Sequence, residues 1–564
     1  MTFARALGLE DPQTDKGCSG SGDITRSVVD YPVLGSRPWD VLQRYLRTIS
    51  HLEPIQIYSR FRQRPCLKET ARSAAFRTVS GKWVEAISRR SPQTGSNRFR
   101  FLNEERETVT WTDNGIPKLW LYNLHYFEYA NLALIERWIK ENPVGTGIGW
   151  DPYPTSLRIA NWCKWGIGQE SVPQNVCSSI ATQAAWIEEL LETHLLANHL
   201  LANAKALMFA GALLNCDGSS RWYELGRRLL EKELRRQILS DGAHVERSPM
   251  YHSIVLEDLL DLYNLGCALN RPTPQITGHI PAMLAWLDHL THPDGEIALF
   301  NDASFGIAPN PSTLHAYARR LGFESAPVAL GESGYLRLET DTLVLIFDAA
   351  PLGPDYQPGH GHADALSFEL SHCGRRVLVN SGTSTYEMNA TRAFERGTAA
   401  HNTLRLDGID QSEVWASFRV GRRARTFDLA TDHRTFVSAA HDGYDHLRCP
   451  VMHRRRIDIR DECVHVTDRL EGYGQHKAEL FFHIAPGANP TVELDPCLCS
   501  SFGYTHYSTG WNLRVTNDTW VGRWAGVCPM QFTTKIRLDA RSSSVQTQDT
   551  RIPRAGANSF PARH

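Results

Sequence analysis

From Trp39 to about Leu321, apolar residues recur at intervals of three and four, the spacing that turns one face of a helix toward a core. The segments Trp39–Arg62, Leu119–Glu141, Thr155–Trp165, Gln174–Leu213, Trp222–Leu239, Ser253–Leu269, Thr277–His292 and Pro311–Leu321 are expected to be helices, with proline and glycine marking the links. Long helices on short links, without a solenoid repeat, suggest a bundle, a toroid or an incomplete helical barrel. At Gly334 the period changes to two. Tyr335-Leu-Arg-Leu, Leu343-Val-Leu-Ile-Phe, Leu366-Ser-Phe-Glu-Leu, Arg376-Val-Leu-Val, Arg456-Ile-Asp-Ile, Cys463-Val-His-Val, Glu479-Leu-Phe-Phe, Leu513-Arg-Val and Lys535-Ile-Arg-Leu read as short strands of an antiparallel β-sandwich. Helices first and strands afterwards make two domains, not an α/β fold. The expected divisions are a polar tail or arm at 1–35, a helical domain at 36–326, a β domain at 327–541 and a C-terminal tail at 542–564.

Composition narrows the partners. With 42% hydrophobic and 22% charged residues, the 564-residue chain is an ordinary globular protein. A net charge of −2 supplies no global field for nucleic acid. Local runs such as Arg454-Arg455-Arg456 and Arg422-Arg423 could supply a basic groove for an acidic substrate, but solvated strand faces explain them better. Met1–Lys16 lacks an apolar leader core and no stretch approaches a membrane span, so a cytoplasmic protein is expected, with a secreted or periplasmic one open if a leader has been removed. The 12 cysteines are scattered and read as free thiols in a reducing compartment.

Three stretches carry candidate chemistry. In Gly359-His360-Gly-His362-Ala-Asp364, an extended backbone would point His360, His362 and Asp364 to one side, between glycines that let a ligand approach. Imidazole suits both metal binding and proton transfer near neutral pH. In His194-Leu-Leu-Ala-Asn198-His199-Leu-Leu-Ala-Asn203-Ala-Lys205, helical geometry puts His194, Asn198 and Lys205 on one face, with His199 and Asn203 beside it. The other positions are apolar, so these polar groups line either a hydrogen-bonded seam or a wet cavity. In Glu246-Arg247-Ser248-Pro249-Met-Tyr251-His252, Ser248 is expected to cap a helix whose first turn holds Tyr251 and His252. Asn123, His125, Asp151, Asn301 and Asp302 add polar groups, and Tyr122 and Tyr126 aromatic ones, at helix ends, a mixture suited to a sugar groove.

A helical half with Leu-Leu-Ala-Asn198-His199 and Glu-Arg-Ser-Pro-Met-Tyr251-His, then a β half with Gly-His360-Gly-His362-Ala-Asp, Val379-Asn380-Ser-Gly and Ala400-His401-Asn-Thr, resembles the heparinase II/III family. The resemblance implies an (α/α) toroid followed by an antiparallel β-sandwich. It also implies a polysaccharide lyase that cuts uronic-acid polymers, such as hyaluronan, chondroitin sulfate, heparan sulfate or alginate, by β-elimination. Taking the C5 proton of a uronate makes a dianion unless donors neutralise the carboxylate first. Asn198, helped by His199, matches that role. Tyr251 matches the acid, and the base is Tyr251 itself where C5–H faces the same side as O4 and His360 for the opposite epimer. Asn123, His125, His194, Arg247, His252 and Asn301 are the expected sugar contacts. In metal-bearing members the matching positions are His362, Asn380 and His401, which implies one structural divalent ion (Zn, Mn or Ca) and no organic cofactor. Asn380 departs from the family's Asp, and an amide is the poorer zinc ligand. An acidic polysaccharide is the expected partner.

Two rival readings remain. A glycoside hydrolase would need paired carboxyls, for which Glu246, Glu296 and Asp302 are candidates. A non-catalytic glycan-binding or exopolysaccharide-biosynthesis protein would bind without turnover.

Overall fold

The computed structural model describes residues 38–61, 73–108, 110–113, 115–329, 331–460 and 463–538. The expected tails at 1–35 and 542–564 lie outside the described residues. Helices dominate up to Pro311–Arg320, and antiparallel strands follow from Tyr335–Glu339 onward. Among the described residues no helix is long and apolar enough to cross a membrane.

The centre of the helical part is Ala197–Leu213, where every residue except His199 is buried. Small residues let its neighbours come close: a Cβ on Gly211 would stand 2.4 Å from the backbone nitrogen of Tyr223 in the helix Ser219–Gln237. Besides Trp39–Arg62, which splits into Pro38–Ile49 and Pro54–Arg60, two long expected helices are in fact pairs. Leu119–Glu141 breaks into Lys118–Tyr126 and Leu132–Glu141 at Phe127, whose φ is 58°. Gln174–Leu213 breaks into Gln174–Glu189 and Ala197–Leu213. The buried Asn203 side chain makes the second break, because it accepts from Glu192 N and donates to the Glu192 carboxylate. The period alone also hid a three-stranded antiparallel meander, Gln93–Gly95, Arg98–Phe101 and Glu104–Glu107, inside the helical part. Its alternation Arg98-Phe-Arg-Phe is a strand pattern, and the Leu102-Asn103 turn has φ of 53° and 59°.

Among the described residues the β part holds two large sheets and a two-stranded one, Val414–Trp415 with Arg419–Val420. Four strands, Tyr335–Glu339, Leu343–Asp348, Phe368–His372 and Arg375–Leu378, pair in sequence order. The eight-stranded sheet centres on Cys463–His483 paired with Leu513–Arg537, with Val451–Arg460 on the outer side of the former. Leu345 and Phe368 of the first sheet share one apolar core with Ile457, Val466 and Phe532 of the second. In Val451–Arg460 alternate residues are buried, which puts His453 and Arg455 among apolar neighbours. Asp468 answers both, accepting from Arg455 Nε at 2.7 Å and pairing with His453 Nε2 at 2.7 Å. Arg455 also donates to the carbonyls of Leu366 and Asn402. The central arginine of Arg454-Arg455-Arg456 is thus an internal tie, not part of a basic groove.

Two N-terminal helices, Pro38–Ile49 and Pro54–Arg60, bridge the halves. Arg44 and Arg47 converge on Glu413, and Tyr45 packs edge-on against Trp415 at 4.8 Å. Gln56, 1% exposed, donates to Tyr356 O at 3.0 Å, while Ser59 bonds Thr193 at 2.8 Å.

Candidate active site

Between the two halves runs a cleft of about 1860 Å³, whose walls include Asn123, His194, Asn198, His199, Tyr251 and His360. Asn198 sits in the first turn of Ala197–Leu213, where its backbone N–H donates to Glu246 Oε1 at 3.1 Å. Leu196 and Ala197 immediately before it have φ of 66° and 48°, left-handed values that side chains rarely adopt. Among the described residues the Asn198 amide has no protein partner, and its Oδ1 is buried without one. Its hydrogen-bonding capacity faces the cleft unspent.

His199 Nδ1 lies 3.0 Å from Glu192 Oε1. Burial alone would lower the imidazole's pKa, but the Glu192 charge and hydrogen bond outweigh it and raise it. With Nδ1–H on Glu192, Nε2 is a donor only in the protonated ring. His194 lines the same wall but precedes the helix, so the expected helical face holds Asn198 and Lys205 without it. The Lys205 ammonium goes to Asp258 and Asp261, at 2.6 and 2.7 Å.

Ser248 caps the helix Pro249–Ala268 by accepting from Tyr251 N, as its place in the sequence predicts. The Tyr251 ring stacks on His360 with centroids 3.9 Å apart, and its hydroxyl lies 3.0 Å from that of Tyr386. Burial, then the neighbouring Tyr386 and Asp302, push the phenol well above its ordinary pKa. The segment Gly359–Asp364 is an irregular loop rather than a strand. His360 and His362 nevertheless reach the same carboxylate, His360 Nδ1 at 2.8 Å from Asp302 Oδ2 and His362 Nε2 at 2.9 Å from Oδ1. Burial would raise Asp302, but the Arg392 charge and the hydrogen bonds from both histidines hold it well below the ordinary carboxylate range. With Nδ1–H on Asp302, His360 keeps Nε2 as its free nitrogen, 3.5 Å from Glu246 Oε2.

Four expected sugar contacts are elsewhere. His125 is wholly buried, paired with Trp111 O and receiving a bond from Trp138 Nε1, and burial lowers it to about 3. His252 bonds Met283 O and accepts from His244 N, and burial lowers it to about 4. Arg247 donates to Ser333 O and Val245 O. Asn301 ties Arg247 O to His362 N. Each is polar because its neighbours' backbone groups need partners, which a single sequence does not distinguish from ligand contact. The glycosidase candidates Glu246, Glu296 and Asp302 are likewise absent from the cleft wall. Tyr386 and Glu192 were missed: both lie in irregular segments, where no periodicity marks a polar residue as buried or aimed.

The residues implied for a divalent ion can be tested against buried polar atoms. His362 Nδ1 and His401 Nε2 are buried without a hydrogen-bond partner, while their other nitrogens are held by Asp302 and by Asn380 Oδ1. An imidazole fixed at one nitrogen with the other left free is how metal-ligating histidines are oriented. His362, Asp364 and His401 offer ligand atoms within 4.8 Å of one another. Asn380 instead orients His401 and accepts from Ser367 Oγ at 2.9 Å. The carboxylate that Asn380 lacks is therefore available from Asp364, and the set fits a divalent ion.

A helical part, an antiparallel-sheet part and a cleft built from both define a two-part protein whose site needs residues from distant stretches of chain. The chain belongs to the heparinase II/III family: the family's N-terminal model matches residues 168–315 and its C-terminal model 324–559. A heparin-sulfate lyase of Pedobacter heparinus is 24% identical over 430 residues, covering 67% of this chain and 61% of the relative. One of Bacteroides thetaiotaomicron is 24% identical over 351 residues, covering 53% and 47%. The chain thus spans under two thirds of the length of these relatives. Among solved structures, "Crystal Structure of Heparinase III" matches with a TM-score of 0.58 at 18% identity, covering 74% of this chain and 76% of that one. Heparan sulfate lyase HepC from Pedobacter heparinus matches at 0.51 and 16%, covering 88% of each.

Proposed function

We propose that this protein is a polysaccharide lyase that cleaves a uronic-acid polymer by β-elimination, with glycosaminoglycans as the substrate class. The observation that supports it most is the convergence on one cleft of an amide without a partner among the described residues (Asn198), a phenol (Tyr251) and an imidazole held by a carboxylate (His360). In this reading Asn198 and protonated His199 hold the uronate carboxylate, where negative charge grows as the C5–H bond breaks. His360 Nε2 takes the C5 proton. The C4–O4 bond then breaks, and Tyr251 gives its proton to the departing oxygen. A phenol raised above its ordinary pKa stays protonated, which favours Tyr251 as the acid and His360 as the base. The products are a 4,5-unsaturated uronate and a new reducing end. We read the helices as an incomplete (α/α) toroid and the two sheets as a sandwich, a reading their shared core and the heparinase III likeness support. The test is incubation with heparan sulfate, heparin, chondroitin, hyaluronan and alginate while following the ultraviolet absorbance of unsaturated product. Binding to every polymer with no such absorbance sinks the reading.

The His199–Glu192 pair predicts a pH effect. His199 must be protonated to donate, and Glu192 raises its pKa, so activity should fall as pH rises through that raised value. Glu192→Gln removes the charge, and the alkaline limb of the kcat/KM profile should move to lower pH. An unmoved limb would detach His199 from carboxylate binding.

A divalent ion at His362, Asp364 and His401 would supply fixed positive charge and cross-link the loop 359–364 to the segment at His401. Elemental analysis is expected to find about one such ion per chain, absent from His401→Ala, and chelation should lower Tm. A metal-free protein whose Tm ignores chelator would leave these histidines as ordinary buried groups.

A further inference from the structure

The buried and half-buried cations on the cleft wall fall into two groups. Arg89 pairs with Glu257 at 2.6 Å, Lys164 with Asp261 at 3.0 Å, and Lys205 with Asp258 and Asp261. Arg60 and Arg419 line the same cleft half-buried, yet neither has a carboxylate within ion-pair distance among the described residues. Arg419 is positioned by rings instead. Its guanidinium lies 4.8 Å from the Trp415 centroid and 5.4 Å from that of Tyr45, and Nη1 donates to the Tyr45 hydroxyl at 3.2 Å. Arg60 has no hydrogen-bond partner among the described residues, and burial and the Arg419 charge both lower its pKa. Two like charges held near each other out of bulk water are unfavourable without an anion to share.

Their position says which anion. Arg60 ends the helix Pro54–Arg60, whose Ser59 is tied to Thr193, beside His194 and shortly before Asn198. Arg419 follows Phe418, whose ring packs edge-on against His360 at 5.9 Å. The pair therefore flanks the catalytic groups from both halves of the molecule. Arg60 lies outside the residues matched by either family model.

We infer that Arg60 and Arg419 form an anion subsite for the sulfate or carboxylate of a sugar next to the one cleaved. Guanidinium forks match either group, each through paired N–H donors. The inference rests on the lyase reading for its polymer, but its test reads binding separately from turnover.

The test uses the full chain and a heparin-derived oligosaccharide in intact, desulfated and carboxyl-reduced forms, with calorimetric titration under conditions too brief for cleavage. Arg60→Ala should weaken the intact oligosaccharide about tenfold, Arg60→Glu more, and Arg60→Lys should recover part of the loss. The chemical form whose affinity no longer responds to Arg60→Ala identifies the group that the subsite holds. Equal affinity of wild type, Arg60→Ala and Arg60→Glu for all three forms, with native circular dichroism, overturns the subsite even if unsaturated product still forms. Arg60-dependent binding without any unsaturated product supports the subsite and counts against the lyase reading alone.

Discussion

Asn198→Ala lowers kcat by about 10²–10³, with a smaller change in KM. The size follows from when the amide is needed. A uronate carboxylate carries one negative charge in the ground state and gains a second as C5 loses its proton. A donor fixed before the reaction stabilises that gain without reorganising. Asn198 is fixed by its bond to Glu246 and by the left-handed backbone before it, and among the described residues no protein group competes for its side chain. Asn198→Asp is nearly the same size but brings a charge of the wrong sign, so it should be at least as damaging. The rate of unsaturated product formation, with native circular dichroism, is the measurement. An Asn198→Ala protein within about fivefold of wild-type kcat would remove the amide from carboxylate neutralisation.

Tyr251→Phe lowers kcat by at least about 10² on every polymer that the wild type cuts. The change deletes one oxygen whose only described protein partner is the Tyr386 hydroxyl, so the fold and the stacking on His360 survive. A control separates acid catalysis from mere placement. A substrate whose leaving oxygen carries an electron-withdrawing aryl group departs without protonation and should recover most of the lost rate. Near-wild-type turnover of the polymer by folded Tyr251→Phe would mean that another group, with Tyr386 the nearest, protonates the leaving oxygen.

The helix-to-strand order was legible because a change of hydrophobic period needs no tertiary information. Helix breaks at Phe127 and Leu196 were not, since their left-handed angles are imposed by packing and by the Asn203–Glu192 bonds. The sequence pointed to Asn198, Tyr251 and His360 through polar residues in unusual company and through motif resemblance. It overcounted sugar contacts at His125, Arg247, His252 and Asn301, because a buried polar residue satisfying backbone groups looks the same in one sequence. It undercounted Asp302, which was weighed as one polar group of a sugar groove and as a glycosidase carboxyl. In the structure Asp302 gathers His360, His362, Thr383 and Arg392 around one buried charge.

The family models begin at residue 168, whereas Trp120, Trp138 and Trp162 belong to the same apolar core as Leu207 and Leu256. The segment recognisable by descent is therefore smaller than the segment that folds. A fragment trimmed to the recognised boundary would strip that core of these and further large aromatic side chains, Phe99, Trp111, Phe127 and Trp150, and lose the clasp of Arg44 and Arg47 on Glu413. Where ancestry and cooperativity draw different borders, an insoluble or idle fragment reports on the cut rather than on the protein.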